Sequence, residues 1–227
     1  MTSPLRLVIF DVDGTLVDSQ GHIVASMTMA FNALGVAVPD RAAILGIVGL
    51  SLEVAMPVLA PALTPTQHAA LVQGYKDSYR TLRLAHGAAE ASPLYPGALE
   101  TLQKLHRHDD ILLGIATGKS KRGLDALIEA HGLERMFVTR QCADFHPSKP
   151  HPSMIHTALA EAGVDAAHAV MVGDTSYDMD MAQAAGVTGI GVTWGYHAPA
   201  ALAAATHIVQ GFDALHTIIT TQWSLPV

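Results

Sequence analysis

Leu5-Arg6-Leu7-Val8-Ile9-Phe10-Asp11-Val12-Asp13-Gly14-Thr15-Leu16-Val17-Asp18 runs from an apolar segment straight into two carboxylates. A strand buried on both faces reads as a continuous apolar run, and ligands of open α/β sheets gather beyond the carboxyl ends of the strands. Asp11 and Asp13 therefore emerge where a site belongs. They flank Val12 and should do different jobs, one attacking and the other shuttling a proton, while Gly14 lets the backbone turn sharply beneath them. Taken alone, these residues also fit a strand followed by an ordinary Asx-type turn.

From Tyr95 onward the chain alternates. An amphipathic helix from Pro96-Gly97 to about Arg107 leads to the strand Ile111 to Ala116. A helix near Lys121 to His131 leads to a strand at Met136-Phe137-Val138, and one near Pro152 to Ala162 leads to the strand Ala169 to Val172. A further helix, Tyr177 to Ala185, precedes the strand Gly189 to Val192, and the Ala-rich Ala198 to Ala205 is expected to be a surface helix. This βαβα order predicts an α/β fold, a parallel Rossmann-like sheet with helices on both faces. Between Gln20 and Ser92 the alternation stops. Ile23, Met27, Ala30, Phe31 and Leu34 fall at helical spacing, and further helix-like runs follow Pro39, Ser51 and Thr64. The expected organisation is a core of residues 1–19 and 93–227, with 20–92 as an inserted helical cap between turn-rich boundaries.

Bulk properties narrow the function. Half of the 227 residues are hydrophobic, 15% are charged, and the net charge is −7, with only 13 Lys and Arg. A phosphate-backbone binder usually shows a basic face, so no nucleic acid partner is expected. Cys142 is the only cysteine, which excludes an intrachain disulfide and fits a reducing compartment. With no signal-like leader, the expected location is the cytoplasm. Gly46 to Leu63 is the most apolar stretch, but Glu53, Pro57 and Pro61 interrupt it, so no membrane span is expected. His146, His151 and His156 would lie about 140° apart on a helix, and prolines break their segment, so the histidines read mainly as surface residues.

Three later segments carry chemistry. Ala116-Thr117-Gly118-Lys119-Ser120 places a hydroxyl and backbone N–H groups ahead of a helix, where they can cradle phosphoryl oxygens; a plain helix cap by Thr117 or Ser120 is the alternative. Ser148-Lys149-Pro150-His151-Pro152 holds one lysine in a restrained, non-helical setting. Gly173-Asp174-Thr175-Ser176-Tyr177-Asp178 puts two carboxylates one helical turn apart, able to hold a divalent cation.

Together these segments resemble the haloacid dehalogenase superfamily, in the phosphatase-type, phosphoglycolate phosphatase-like branch whose helical cap follows the first motif. Asp-x-Asp-Gly-Thr falls on Asp11 to Thr15, the motif threonine on Thr117, Lys-Pro-x-Pro on Lys149 to Pro152, and Gly-Asp-x-x-x-Asp on Gly173 to Asp178. The resemblance implies that Asp11 attacks phosphorus to form an aspartyl-phosphate and that Asp13 is the proton donor and acceptor. It implies Mg²⁺ held by Asp11, the Asp13 carbonyl, Asp174 and Asp178, with Thr117, Gly118 and Lys149 gripping phosphate oxygens. The expected partner is a small phosphorylated metabolite; monomer or homodimer stays open. Asp13 argues against the family's dehalogenases and phosphonate-cleaving members, which lack that aspartate, and Asp13 with the cap argues against a non-catalytic phospho-receiver or scaffold. A mutase resembling β-phosphoglucomutase shares the motifs and stays open. Many phosphoglycolate phosphatase-like proteins carry Thr-Asn-Lys in the second motif, whereas this chain has Thr117-Gly118-Lys119. Candidate substrate readers are the turn Gly49-Leu50-Ser51, then Lys76, Arg80 and Arg83 on the last cap helix, with Lys119 and Lys121 at the mouth between cap and core.

Overall fold

The computed structural model describes residues 4 to 224. Strand β1 (Arg6–Phe10) lies at the centre of a six-stranded sheet, paired in parallel with β2 (Ile111–Thr117) on one side and β4 (Ala169–Gly173) on the other. Beyond β2 lies β3 (Thr139–Cys142). Beyond β4 lie β5 (Thr188–Val192) and β6 (His207–Val209), giving the all-parallel order β3-β2-β1-β4-β5-β6.

The apolar run of β1 is explained by two cores. Val8 and Phe10 pack with α6 (Ala98–His106), α7 (Lys121–Ala130) and α10 (Phe212–Gln222). Leu7 and Ile9 point the other way, toward α8 (Ser153–Ala162) and α9 (Ser176–Ala184). The strand order turns back between β1 and β4, the point where open α/β sheets leave a crevice for ligands.

Three expectations fail on the core. Met136-Phe137-Val138 is turn and coil, and β3 starts three residues later, in the polar Thr139-Arg140-Gln141-Cys142. Buried Thr139 and Gln141 both donate to Glu161 Oε2 on α8 (2.6 and 2.7 Å), so a partner distant in sequence satisfies the polar strand. His146 joins this cluster, bonding Gln141 Oε1 and Ser153 Oγ at 2.9 Å each rather than lying free on the surface. Ala198 to Ala205 yields only a 3₁₀ turn at Pro199–Ala201, which drops Leu202 into the core ahead of β6. Alanine favours helix, but burial of one leucine and the need to return to the sheet outweigh that small preference.

Between β1 and β2 the chain inserts α1 (Gln20–Leu34), α2 (Arg41–Gly46), α3 (Leu52–Leu59), α4 (Pro65–His86) and the single turn α5 (Ala88–Ala91). Thr64 and Gln67 form a reciprocal cap at the start of α4, with Pro65 preset for the first helical position. The insertion has its own core around Met27, Phe31, Ile44, Met56 and Leu71, where each buried side chain contributes about 1.5–3 kcal/mol. Its two ends meet at a backbone clasp: the Asp18 N–H donates to the Pro93 carbonyl (2.8 Å) and the Tyr95 N–H to the Leu16 carbonyl (2.9 Å). Gly46 to Leu63 is divided between the end of α2, α3 and turns, and no helix among the described residues is long and apolar enough to cross a membrane.

Candidate active site

Asp11 leaves the sheet still in register, its N–H donating to the Val172 carbonyl at 2.9 Å. Gly14 then turns at φ +90°, and any side chain there would collide with Asp174, since a Cβ would stand 2.3 Å from Oδ2. This tight turn seats Thr15, whose hydroxyl donates to Asp174 Oδ1 (3.0 Å). The other Asp174 oxygen accepts the Tyr196 N–H at 2.8 Å. Asp178 completes a capping box with Thr175, Oδ2 accepting both the Thr175 N–H (3.1 Å) and hydroxyl (2.7 Å).

Lys149 lies between these elements, only 1% exposed, donating to Asp11 Oδ1 and Asp178 Oδ1 at 2.6 Å each. Burial alone would lower its pKa, but the Asp11 and Asp178 carboxylates hold it above the ordinary lysine range. Burial, opposed by Lys149 and reinforced by Asp178 and Asp13, pushes Asp11 up to about 7. Burial, followed by Asp11 and Asp178, drives Asp174 well above the usual carboxylate range. Carboxylate oxygens of Asp11, Asp174 and Asp178 lie within 4.8 Å of one another. Asp11 Oδ2 is buried and has no hydrogen-bond partner. Four buried carboxylates thus face two buried ammonium groups, an excess that one divalent cation would balance. An all-oxygen donor set with an orphaned anionic oxygen fits a hard cation.

Asp13 is held apart from this cluster. Its Oδ1 accepts from Ser19 Oγ (2.5 Å) and Lys119 Nζ (2.9 Å). Ser19 Oγ lies 3.0 Å from the Tyr196 hydroxyl, and Lys119 Nζ donates to the Tyr79 hydroxyl of α4 at 3.3 Å. Lys119 therefore links the end of the β2 loop to both Asp13 and the cap.

The cap is closed on the core. A Cβ on Gly118 would stand 2.5 Å from the Gly49 carbonyl oxygen, so only glycine admits this approach. The Ser51 N–H donates to Ser148 Oγ (2.9 Å), and the Tyr177 hydroxyl to the Gly46 carbonyl (3.0 Å). Between the two lies a cavity of about 370 Å³, lined by Asp11, Asp13, Thr117, Gly118 and Lys119 from the core and by Gly49, Leu50, Lys76, Arg80 and Arg83 from the cap.

The motif residues Asp11, Asp13, Thr117, Gly118, Lys149, Asp174 and Asp178 thus converge at the carboxyl ends of β1, β2 and β4 and the loop before α8. Some expectations change. Ser51 does not line the cavity, because its backbone is bound to Ser148. Lys121 lies outside it as well, paired with Asp125 on the surface of α7. Lys76 lines the cavity but is paired with Glu53 at 3.2 Å, and α4, which carries Lys76, Arg80 and Arg83, is followed by the short α5. Ser120, not Thr117, caps α7, accepting the Gly123 N–H. Both Asp178 oxygens already have protein donors, whereas Asp11 keeps one free. The sequence reading missed Ser19, Tyr79, Thr175 and Tyr196. Thr175 carries the signal of a cap three residues before Asp178, and Ser19 follows Asp13 by six residues, whereas Tyr79 and Tyr196 are brought in from separate segments by the tertiary fold.

A parallel sheet with buried carboxylates at the ends of β1 and β4, roofed by helices inserted after β1, defines a capped hydrolase with an acidic centre. Residues 8–192 match the haloacid dehalogenase-like hydrolases, and the chain belongs to that family. It is 40% identical over 202 residues to a protein named "Probable phosphatase IndB" of Dickeya dadantii, covering 88% of this chain and 86% of that one. It is 36% identical over 200 residues to a phosphoglycolate phosphatase of Agrobacterium fabrum, covering 86% and 84%. Among solved structures, a haloacid dehalogenase-like family hydrolase from Streptococcus pneumoniae superposes with a TM-score of 0.81 at 28% identity, over 94% of this chain and 98% of that one. The chain is a phosphatase of this family.

Proposed function

We propose that this phosphatase is Mg²⁺-dependent and hydrolyses the monoester of a small phosphorylated metabolite through an aspartyl-phosphate on Asp11. The observation that carries the reading is the buried, unpartnered Oδ2 of Asp11, a residue that lines the cavity, while Lys149 holds its twin oxygen. Asp11, the Asp13 carbonyl and Asp174 would hold the cation, with Asp178 beside them. When bound, Mg²⁺ would neutralise charge on the phosphoryl group and screen it from the carboxylates.

In the first step an Asp11 oxygen forms a bond to phosphorus while the bond to the ester oxygen breaks, and Asp13 delivers its proton to the departing alcohol. In the second, Asp13 takes a proton from water as the water oxygen attacks phosphorus, and the bond to Asp11 breaks, releasing phosphate. Ser19 and Lys119 fix the Asp13 carboxylate for both transfers. Thr117, the Gly118 N–H and Lys149 grip the remaining phosphoryl oxygens, stabilising charge that spreads during transfer. Residues 20–92 serve as the cap over a core of 1–19 and 93–227, excluding water while the aspartyl-phosphate forms.

The name of the Agrobacterium fabrum relative makes phosphoglycolate the reference substrate. The test is a panel of phosphorylated metabolites with and without Mg²⁺. Phosphate release that stops on chelation and returns with Mg²⁺, but poorly with Ca²⁺, is expected. Release unaffected by exhaustive chelation refutes the metal assignment, and an isomerised ester without free phosphate identifies a mutase instead.

A further inference from the structure

The cavity is larger and more apolar than a two-carbon acid needs. Its volume of about 370 Å³ would hold about a dozen waters at roughly 30 Å³ each. The cap lines it with Ile23, Met27, Val48 and Leu52 and with two phenol rings, Tyr75 and Tyr79, one turn apart on α4. Their ring centroids are 5.8 Å apart, and the Tyr79 hydroxyl is tied to Lys119 and Ser92, which fixes that ring as a wall. Cations near the reacting centre are already engaged: Lys149 by Asp11 and Asp178, and Lys119 by Asp13. Lys76 is engaged by Glu53. A small carboxylate could pair with Arg80 or Arg83, which also line the cavity, but would leave most of the carbon wall wet, whereas water exclusion requires that wall to be covered.

We infer that the cavity binds a flat, largely apolar ring esterified to the phosphate, so that the substrate class is a phosphate monoester with a ring-bearing body. This rests on the phosphatase reading above and sets what the cap selects. Ring packing on Tyr75 and Tyr79 supplies the recognition, with Val48 and Leu52 closing the pocket.

The test assays the full chain with saturating Mg²⁺ on benzyl phosphate, 2-(1-naphthyl)ethyl phosphate and phosphoglycolate. All three release alkyl alcohols, so ring recognition rather than leaving-group ability dominates the ratio. At least one ring ester is expected to exceed phosphoglycolate in kcat/KM by about tenfold or more, the effect that one or two matched apolar groups produce in such pockets. Val48→Phe, which fills the cavity, should cut that ratio about tenfold; if melting shows that this variant is unfolded, Tyr75→Ala, which removes part of the wall, should cut it instead. A wild-type ratio below about tenfold, or a ratio that the folded variant leaves unmoved, overturns the inference and leaves the phosphatase reading intact. If no ester releases phosphate, that reading fails, and calorimetric titration decides the pocket. Tighter binding of benzylphosphonate than of phosphonoacetate upholds the ring site, and equal or weaker binding overturns it.

Discussion

Beneath the cavity, carboxylate oxygens are matched to hydrogen-bond donors almost atom for atom. Both oxygens of Asp174 and of Asp178 have donors within 3.1 Å, and Lys149 is pinned by two carboxylates. Above it, the cap offers aliphatic side chains, two phenol rings and a few cations, one of them spent on an exposed partner. The floor is built from strand ends and short turns, whose geometry the sheet fixes; the roof is built from helix faces, whose residues can change without disturbing a hydrogen-bond ladder. A buried charge network tolerates little substitution because each loss strands a partner, whereas an apolar wall tolerates much. Under the proposed function, reaction chemistry would belong to the floor and substrate choice to the roof.

The largest effect should come from the floor. Asp11→Asn keeps the shape and the acceptor for Lys149 but removes the proposed nucleophile, so turnover should fall by more than about 10⁴-fold. Its Tm should stay constant or rise, because a carboxylate crowded by Asp174 and Asp178 has lost its charge. Substantial turnover in a preparation verified free of deamidation would break the comparison at its strongest point.

The contact between floor and roof should give an intermediate effect. Gly118→Ala places a Cβ against the Gly49 carbonyl, which must move for the cap to close. A displacement near 1 Å at a catalytic site costs about 10²-fold, so kcat/KM should fall by that order, with the far-ultraviolet circular dichroism unchanged. Wild-type kinetics in this variant would show that the closed arrangement is not needed for turnover.

The smallest effect belongs to the roof's exposed charge. Lys76→Ala removes a pair whose side chains are 43% and 65% exposed. Stability should drop by less than about 1 kcal/mol in denaturant titration, and kcat/KM should shift by less than about threefold. A tenfold loss on one ester alone would sharpen the comparison by making Lys76 a reader of that ester.

The floor was legible in the sequence because its chemistry is local. Asp11 and Asp13 must follow a buried strand, Lys149 must sit among prolines, and Asp178 must stand one turn after Asp174, so each leaves a short pattern. The sheet was legible wherever a strand was apolar. It failed at β3, where Thr139 and Gln141 look like loop residues until Glu161 reaches them from α8. It failed again after Val192, where a three-residue edge strand gives too short a pattern and α10 was not anticipated. Tyr196 and Ser19, both around Asp13, have no mutual spacing to read, because their contact spans 177 residues. The roof was legible only as a run of helices, since cavity-facing and core-facing apolar positions share one periodicity.

The clasp at Asp18, Pro93, Leu16 and Tyr95 has a consequence for how such a chain can change. The insertion leaves and re-enters the sheet at adjacent points held by backbone bonds, so it is a loop already tied at its neck. The entropy of closing a loop grows only with the logarithm of its length, about 0.6 kcal/mol for each doubling. To β1 and β2, a cap of five helices and a cap of three are nearly the same span. The lid is in this sense a cassette and the sheet its socket: helices can be lengthened, shortened or exchanged at the neck while the pairing of Arg6 with Ile111, and every carboxylate that depends on it, stays where it is.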